Sequence, residues 1–311
     1  MTQAKAHRDE NGTTPQAAEA RAQYFVPEKA FSRPISKVPA AVFSAERAQA
    51  FAAGCPTGFI TLDQSHALGC DWPSTTPAML ARYVVLRPGE AFAHRLQASG
   101  LVYYVLRGVG TVTAAGETLD WAAGDGFCLP GNADIELRAP EGGILMLFTD
   151  EPLVRYLHVT GGTETAASIR PTLFPRAVVD GHLDAVHGRN EPQMSAGKSV
   201  TYVTELMADW RLTTPSLIAA INTLEPGGDQ RPHKHSSCAL TLPIAEEGVF
   251  SKLDGEDIPW EPDTLFVTPP YAVHSHHNRG PRMMRAFVVQ DTALHSGLRS
   301  ISFQWTDEAP A

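Results

Sequence analysis

Two short histidine runs hold the residues of this chain best suited to chemistry. GGDQRPHKH places His233 and His235 two residues apart, and PPYAVHSHHN, one hairpin and one apolar strand later, carries His274, His276 and His277. Side chains alternate across a strand, so His233 and His235 share a face while Lys234 points the other way. By the same alternation His274 and His276 lie on one face and His277 on the other. Imidazoles grouped on one strand face suit a transition metal such as iron, zinc, nickel or manganese. Such a centre needs both runs brought together by the elements around them.

Those elements read as strands. From about residue 76 the chain breaks into short apolar stretches with turn punctuation, as in LARYVVLRPGE, GLVYYVLRGVGTVTAAGETLDWAAGDGFCLPG and GGILMLFTD, which is an all-β rhythm. After a less regular stretch at 155–198, with GGTET and EPQMSAGK, the rhythm returns in TPSLIAAINTLEPGG, VFSKLDGEDIPWEPDTLFVTPP and RMMRAFVVQ. The second half repeats the first. LRPGEAFAHR (86–95) matches LEPGGDQRPHKH (224–235), and GVGTVTAAGETLDWAAGDGFCLPG (108–131) matches EGVFSKLDGEDIPWEPDTLFVTPP (247–270). In each copy a Pro-Gly turn feeds a strand and a Gly-bearing hairpin follows. Trp121 or Trp260 then precedes an acidic turn and an apolar strand that ends in proline. Ahead of the repeat, FSAERAQAFAAG (43–54) reads as one short helix with Ser44 as its cap and Gly54 closing it.

This doubled pattern resembles the cupin superfamily over about residues 76–152 and 200–295. The resemblance implies an all-β bicupin, two antiparallel jelly-roll barrels in one chain. An N-terminal helical or extended arm (1–73) would precede a metal-free barrel (74–155), a linker (156–198) and a metal-binding barrel (199–311). In the cupin pattern the HxH pair and the first histidine after the proline turn converge inside the barrel, which implies His233, His235 and His274 as metal ligands. Ala239 and Leu240 stand where many cupins carry a fourth, glutamate ligand. In the first copy His94 stands alone and CLPGNADIEL has no histidine, so that barrel is expected to be scaffold.

A site of three neutral imidazoles is similar to that of the ring-cleaving dioxygenases of gentisate, salicylate and 1-hydroxy-2-naphthoate. The resemblance implies one Fe(II) per subunit, molecular oxygen as co-substrate and a small aromatic acid as substrate, opened between its carboxyl-bearing and hydroxyl-bearing carbons. Three adjacent coordination positions would remain for carboxylate, ortho hydroxyl and oxygen. It also implies an active-site role for His276, as base or hydrogen-bond donor. His277 is expected at the surface and Asn278 in a turn. The chain departs from these relatives in two respects: its only metal set lies in the second barrel, and Thr241 falls where gentisate-type enzymes carry a carboxylate-binding arginine. Candidate substrate residues are therefore Arg231, Thr241, Arg285 and Gln290, with Arg82 or Tyr104 from the neighbouring barrel. Loss of the arginine would suit a 5-substituted salicylate such as nitrosalicylate. Two-barrel cupins commonly assemble as homo-oligomers, dimers or tetramers, and the leader would serve as a swapped arm.

Composition narrows the partners. With 43% apolar and 19% charged residues, the 311-residue chain has material for packed cores. A net charge of -9 without any Lys/Arg cluster argues against nucleic acid and anionic membranes as partners. The polar start MTQAKAHRDENGTTPQ has no apolar core of a signal peptide, and the four scattered cysteines lack CxxC spacing. Both fit a cytoplasmic protein without disulfides. Two other functional classes fit the same residues. One is a different three-histidine metalloenzyme, such as a diketone or thiol dioxygenase, an isomerase or a lyase; the other is a metal-stabilised sensor module without turnover.

Overall fold

A computed structural model describes residues 18–32, 36–159, 169–189, 197–245 and 247–306. The chain forms two compact units, residues 1–36 and residues 37–311. In the first, the described residues include the short helix α1 (Pro27–Phe31). The polar leader at 1–17 and the GGTET segment lie outside the described residues, as does most of EPQMSAGK.

The larger unit opens with β1 (Ala41–Val42), α2 (Ser44–Ala50), β2 (Gly58–Leu62) and α3 (Ser65–Leu68). Ser44 is the first helical residue of α2 and not its cap. Phe43 takes the cap position because its N–H is held by the Leu265 carbonyl (3.0 Å) and its ring is buried. The first barrel follows with β3 (Leu80–Leu86), β4 (Ala91–His94), β5 (Gly100–Ala114), β6 (Glu117–Ala122), β7 (Gly126–Pro130), β8 (Ile135–Arg138) and β9 (Gly143–Thr149). Helix α4 (Glu151–Tyr156), β10 (Thr172–Phe174), α5 (Arg176–His187) and β11 (Lys198–Tyr202) lead to the second barrel. That barrel consists of β12 (Ile218–Leu224), β13 (His233–His235), β14 (Ala239–Ala245), β15 (Val249–Leu253), β16 (Glu256–Pro259), β17 (Phe266–Thr268), β18 (His274–Asn278) and β19 (Met284–Gln290). Helix α6 (Thr292–Leu298) and β20 (Phe303–Trp305) close the described chain.

The fold is thus the doubled antiparallel jelly roll that the repeat predicts. One boundary differs from expectation: the stretch from 37 to 73 is part of the barrel body. β2 pairs with β3 at the edge of the first barrel's sheet, and β1 pairs with β17 in the second barrel. Edge strands expose unpaired backbone groups, and both additions cover one. The segment between the barrels behaves likewise, β10 pairing with β7 and β11 with β12.

The two interiors differ. The first barrel is filled by Val84, Leu101, Tyr103, Val112, Trp121, Phe127, Ile135 and Leu137, among others. The second has a smaller apolar cluster around Leu224, Val249, Trp260, Phe266 and Met284, and the rest of its interior is polar. Between the barrels, the outer faces of β3, β5 and β9 meet those of β12, β14 and β19 in the largest core of the protein. There Tyr104 stacks on Phe287 (4.6 Å between centroids), which Phe148 also contacts.

Candidate metal centre

Strand pairing builds the site. In β13 and β18 His233 lies directly opposite His274, and the two-residue period brings His235 to the same face. β20 returns along the other edge of β13, with Trp305 opposite His233 and Phe303 opposite His235. The Phe303 ring stacks on the His233 imidazole at 5.0 Å. His233, His235 and His274 are 4%, 8% and 5% exposed. One ring nitrogen of each lies within 4.8 Å of the others, and this is the single such grouping among the described residues.

The other ring nitrogens explain how these imidazoles are aimed. His233 Nδ1–H donates to the Arg231 carbonyl (3.0 Å), His235 Nδ1–H to the Ser237 carbonyl (2.8 Å) and His274 Nδ1–H to the Ala272 carbonyl (2.9 Å). A carbonyl can only accept, so each ring is held in the tautomer that leaves its Nε2 lone pair free. Burial holds the His233 pKa down at about 4, lowers that of His235 and places that of His274 well below the ordinary range. Repulsion among the neighbouring imidazoles adds to the effect at His233 and His274. Three buried, neutral, pre-aimed imidazoles are the donor set of a transition-metal site, so the residues present fit a metal ion.

The ring nitrogens open onto a cavity of ≈ 160 Å³. Gln230, Asn222, Thr241, Thr268 and Gln290 line it together with Ala239, Val288, Thr292 and Phe303, and among the described residues no Lys, Arg, Asp or Glu does. Thr241 and Gln290 thus stand at the cavity wall. The sequence reading missed Asn222, Gln230, Thr268 and Phe303. Strand parity applied to β12 and β17 offered a signal for Asn222 and Thr268; Phe303 required knowledge of where the C-terminal strand returns.

His276 also lines the cavity and is 7% exposed. Its Nδ1 lies 2.8 Å from Ser251 Oγ, and the Trp260 indole N–H donates to the same oxygen (2.7 Å). Indole can only donate, so Ser251 accepts from it, which leaves the Ser251 O–H available to donate to Nδ1. With Ser251 as that donor, the proton of a neutral His276 lies on Nε2. Burial pushes its pKa down to about 3, so it is neutral at working pH.

The remaining candidates lie elsewhere. Arg285 is five residues before Gln290 on one strand, so it faces away from the cavity, toward the barrel junction, where it pairs with Asp180. Tyr104 lines that same junction. Arg82 is buried in the first barrel in an ion pair with Glu151, its guanidinium over the Phe59 ring. The Arg231 guanidinium lies over the Trp305 ring at 5.0 Å, while its carbonyl accepts from His233. His277 does point away from the metal face but is 1% exposed, because Phe250 stacks on it and Asp229 takes its Nδ1 (2.5 Å). Asn278 is a fully buried strand residue. Its amide N–H groups reach the Leu224 and Arg282 carbonyls, and its carbonyl accepts the Gly280 N–H.

Comparison with known proteins agrees with this architecture. The Cupin domain model matches residues 220–290, which include His233, His235, His274 and His276. The chain is 31% identical over 91 residues to a 1-hydroxy-2-naphthoate 1,2-dioxygenase of Nocardioides sp. (strain KP7), covering 29% of this chain and 24% of that one. It is 35% identical over 65 residues to a gentisate 1,2-dioxygenase of Streptomyces sp, covering 21% and 18%. The chain thus spans less than a quarter of the length of these curated relatives. The fold likeness extends further. The salicylate 1,2-dioxygenase of Pseudoaminobacter salicylatoxidans, solved as adducts with gentisate, superimposes with a TM-score of 0.74 over 90% of this chain and 88% of that one, at 15% identity.

Two outcomes follow from the site. His233→Ala should abolish metal uptake, measured by elemental analysis of the purified protein, while the far-ultraviolet circular dichroism stays that of the parent; full metal occupancy would refute the ligand assignment. The pH dependence follows from the lowered histidine pKa. Between an unfolded value near 6.5 and the folded value of about 4 for His233, the unfolded chain binds a proton that the folded one does not. Stability of the metal-free protein is therefore greatest above pH 6.5 and falls as pH drops, by up to about 1.4 kcal/mol per pH unit for each such histidine. A urea midpoint unchanged between pH 7 and pH 5 would contradict this.

Proposed function

We propose that this chain is an Fe(II)-dependent dioxygenase that opens the ring of a single-ring, salicylate-type hydroxylated aromatic acid, taking molecular oxygen as co-substrate. The observation that carries the reading is the set of three buried neutral imidazoles at a cavity where the described residues include no fourth protein ligand and no charged lining side chain. Four-ligand sites leave fewer adjacent positions for an acid and oxygen together. The relatives named above support ring opening of a hydroxylated aromatic acid by what their names say they act on, and those named for gentisate and salicylate act on single rings.

His233, His235 and His274 would hold the iron, which when bound supplies a Lewis acid and a one-electron couple for chemistry between an aromatic acid and oxygen. The chain's own residues bind and orient. A cavity of ≈ 160 Å³ matches the roughly 150 Å³ that accommodates benzene, so it favours one ring over a fused pair. Phe303, 47% exposed and stacked on His233, offers an apolar face at the entrance. Asn222, Thr241, Thr268 and Gln290 present neutral hydrogen-bonding groups to the ring substituents. Such a wall suits an uncharged polar substituent, as in gentisate or a 5-substituted salicylate such as nitrosalicylate.

His276 acts as a hydrogen-bond donor. With Nδ1 accepting from Ser251, its Nε2–H is available to an oxygen that gains negative charge during the reaction. Trp260 and Ser251 act through His276 as positioning residues.

Oxygen uptake by anaerobically Fe(II)-loaded protein should be stoichiometric with gentisate, salicylate or a 5-substituted salicylate, accompanied by a new absorbance from the ring-opened product. 1-Hydroxy-2-naphthoate should be a poorer substrate. Silence across the panel with iron confirmed bound would overturn the proposal. Ser251→Ala should lower kcat by about tenfold or more with metal content intact and KM little changed. Ser251→Thr, which keeps the hydroxyl, should restore most of it. A Ser251→Ala enzyme with parental kcat would remove the donor role from His276.

A further inference from the structure

Gln290 ends β19 and lines the metal cavity, and the bonds around it decide which end of its amide the cavity meets. Ser237 follows the ligand strand β13, and Thr292 opens α6. The Ser237 Oγ lies 3.1 Å from His235 Nδ1 and 2.9 Å from Thr292 Oγ1. Thr292 donates to Gln290 Oε1 at 2.7 Å, and the Ser237 hydroxyl reaches the same oxygen at 3.5 Å. A chain of polar groups thus runs from a metal ligand to the cavity wall.

The metal ligand sets the direction of that chain. His235 carries its proton on Nδ1, held by the Ser237 carbonyl at 2.8 Å, so this nitrogen has no lone pair to take the Ser237 hydrogen. Thr292 has one hydrogen and two acceptors within reach. Given to Gln290, it makes the 2.7 Å bond; given to Ser237, it leaves the Ser237 hydrogen for the same Gln290 oxygen. Either way a hydroxyl hydrogen ends on Oε1. An amide turned over would set its N–H groups against the two hydroxyls and leave one of their hydrogens without an acceptor in this group, which is costly in a largely buried place. The Gln290 oxygen is therefore committed, and its NH2 is the end offered to the cavity. Thr241 and Thr268 differ, because a hydroxyl can turn to donate or to accept.

Resting on the aromatic-acid reading above, we infer that Gln290 is a dedicated N–H donor to an acceptor oxygen of the bound acid, held in that role by Thr292 and Ser237 as positioning residues and, through Ser237, by the tautomer of His235. The acceptor is either an oxygen common to all salicylates, such as the carboxylate, or an oxygen of a further ring substituent. A group that offers only N–H hydrogens at this point meets a like dipole and is rejected. The imidazole tautomer that frees the metal-facing nitrogen of His235 also sets the polarity of one wall.

Isothermal titration calorimetry of the anaerobic Fe(II)-loaded full chain with salicylate and, separately, with 5-nitrosalicylate tests this without turnover. The parent should bind both acids. Gln290→Leu, which removes the donor, should bind at least one of them about tenfold more weakly or worse with iron content unchanged. Thr292→Val should lose about threefold or more, and Thr292→Ser, which keeps the hydroxyl, should bind as the parent does. Loss confined to 5-nitrosalicylate assigns the acceptor to the substituent; equal loss for both acids assigns it to the oxygens they share. Parental affinity in Gln290→Leu overturns the inference, as does a Thr292→Ser protein as weak as Thr292→Val. A parent that holds iron and binds neither acid overturns the aromatic-acid reading itself, and this inference falls with it.

Discussion

The register that sets His233 opposite His274 is the constraint on which the site depends. In a sheet, a slip of one residue sends every side chain to the other face, so the metal set exists only while β13 and β18 pair in this register. Several features hold it. β15 pairs with β18 along its whole length, with Ser251 opposite His276. Gln230 bonds the backbone of His276 in both directions, its N–H to the His276 carbonyl and its side-chain oxygen from the His276 N–H. Asn278 ties the strand end to two separate carbonyls. The ligand rings are then oriented by carbonyls two residues away on their own chain, so the same backbone that sets the register also sets the tautomers.

The first barrel shows what this plan becomes without the ligands. Its register is equivalent: His94 pairs opposite Ile135 as His233 pairs opposite His274, and the turns before both strands carry a left-handed residue, Asn132 and Tyr271. Ile135 and Leu137 therefore take the places of His274 and His276, and Val112 takes that of Ser251. The consequences are visible in the polar atoms. His94 bonds to the Tyr103 hydroxyl at 2.8 Å, and among the described residues neither its buried Nδ1 nor the buried Trp121 indole N–H has a partner. In the second barrel the corresponding indole, of Trp260, is satisfied by Ser251 and linked through it to His276. An apolar interior makes the first barrel a packing platform, and its outer face supplies one side of the inter-barrel core.

Much of this was legible in the sequence because it rests on period-two alternation and on a repeat. HxH, the second histidine run, the paired tryptophans and the proline-terminated strands carry the cupin resemblance, and that resemblance implied the fold class and the convergence of the histidines. The same alternation, applied fully, would have removed Arg285, since residues 285 and 290 on one strand cannot both face inward. What pattern could not supply was which surfaces other elements cover. His277 is on the far face as alternation requires, yet Phe250 and Asp229 bury it. Arg231 is adjacent to the ligand strand, yet its guanidinium goes to Trp305, which arrives from the far end of the described chain. The extent of the barrel body was hidden for a similar reason: β1 and β2 are short, and edge strands of a few residues carry almost no periodic signal.

The absence of a cation among the described lining residues has an electrostatic consequence for the reaction proposed. Carrying a carboxylate from water into a cavity of this kind is costly unless an opposite charge meets it. Arginine would supply that charge whether or not metal is present; Thr241, Asn222, Thr268 and Gln290 cannot, because neutral dipoles offset only part of the cost. For the proposed reaction the neutralising charge would come from an ion held by the three imidazoles, which would couple binding of an aromatic acid to metal occupancy. The neutral wall then has a different task. It distinguishes substituents by hydrogen bonding, in a space sized for one ring, and a group that leaves those donors and acceptors unpaired is rejected more strongly than one that merely fits less well. In the proposed reaction, specificity and charge neutralisation, which one arginine could combine, would be divided between the wall and the metal.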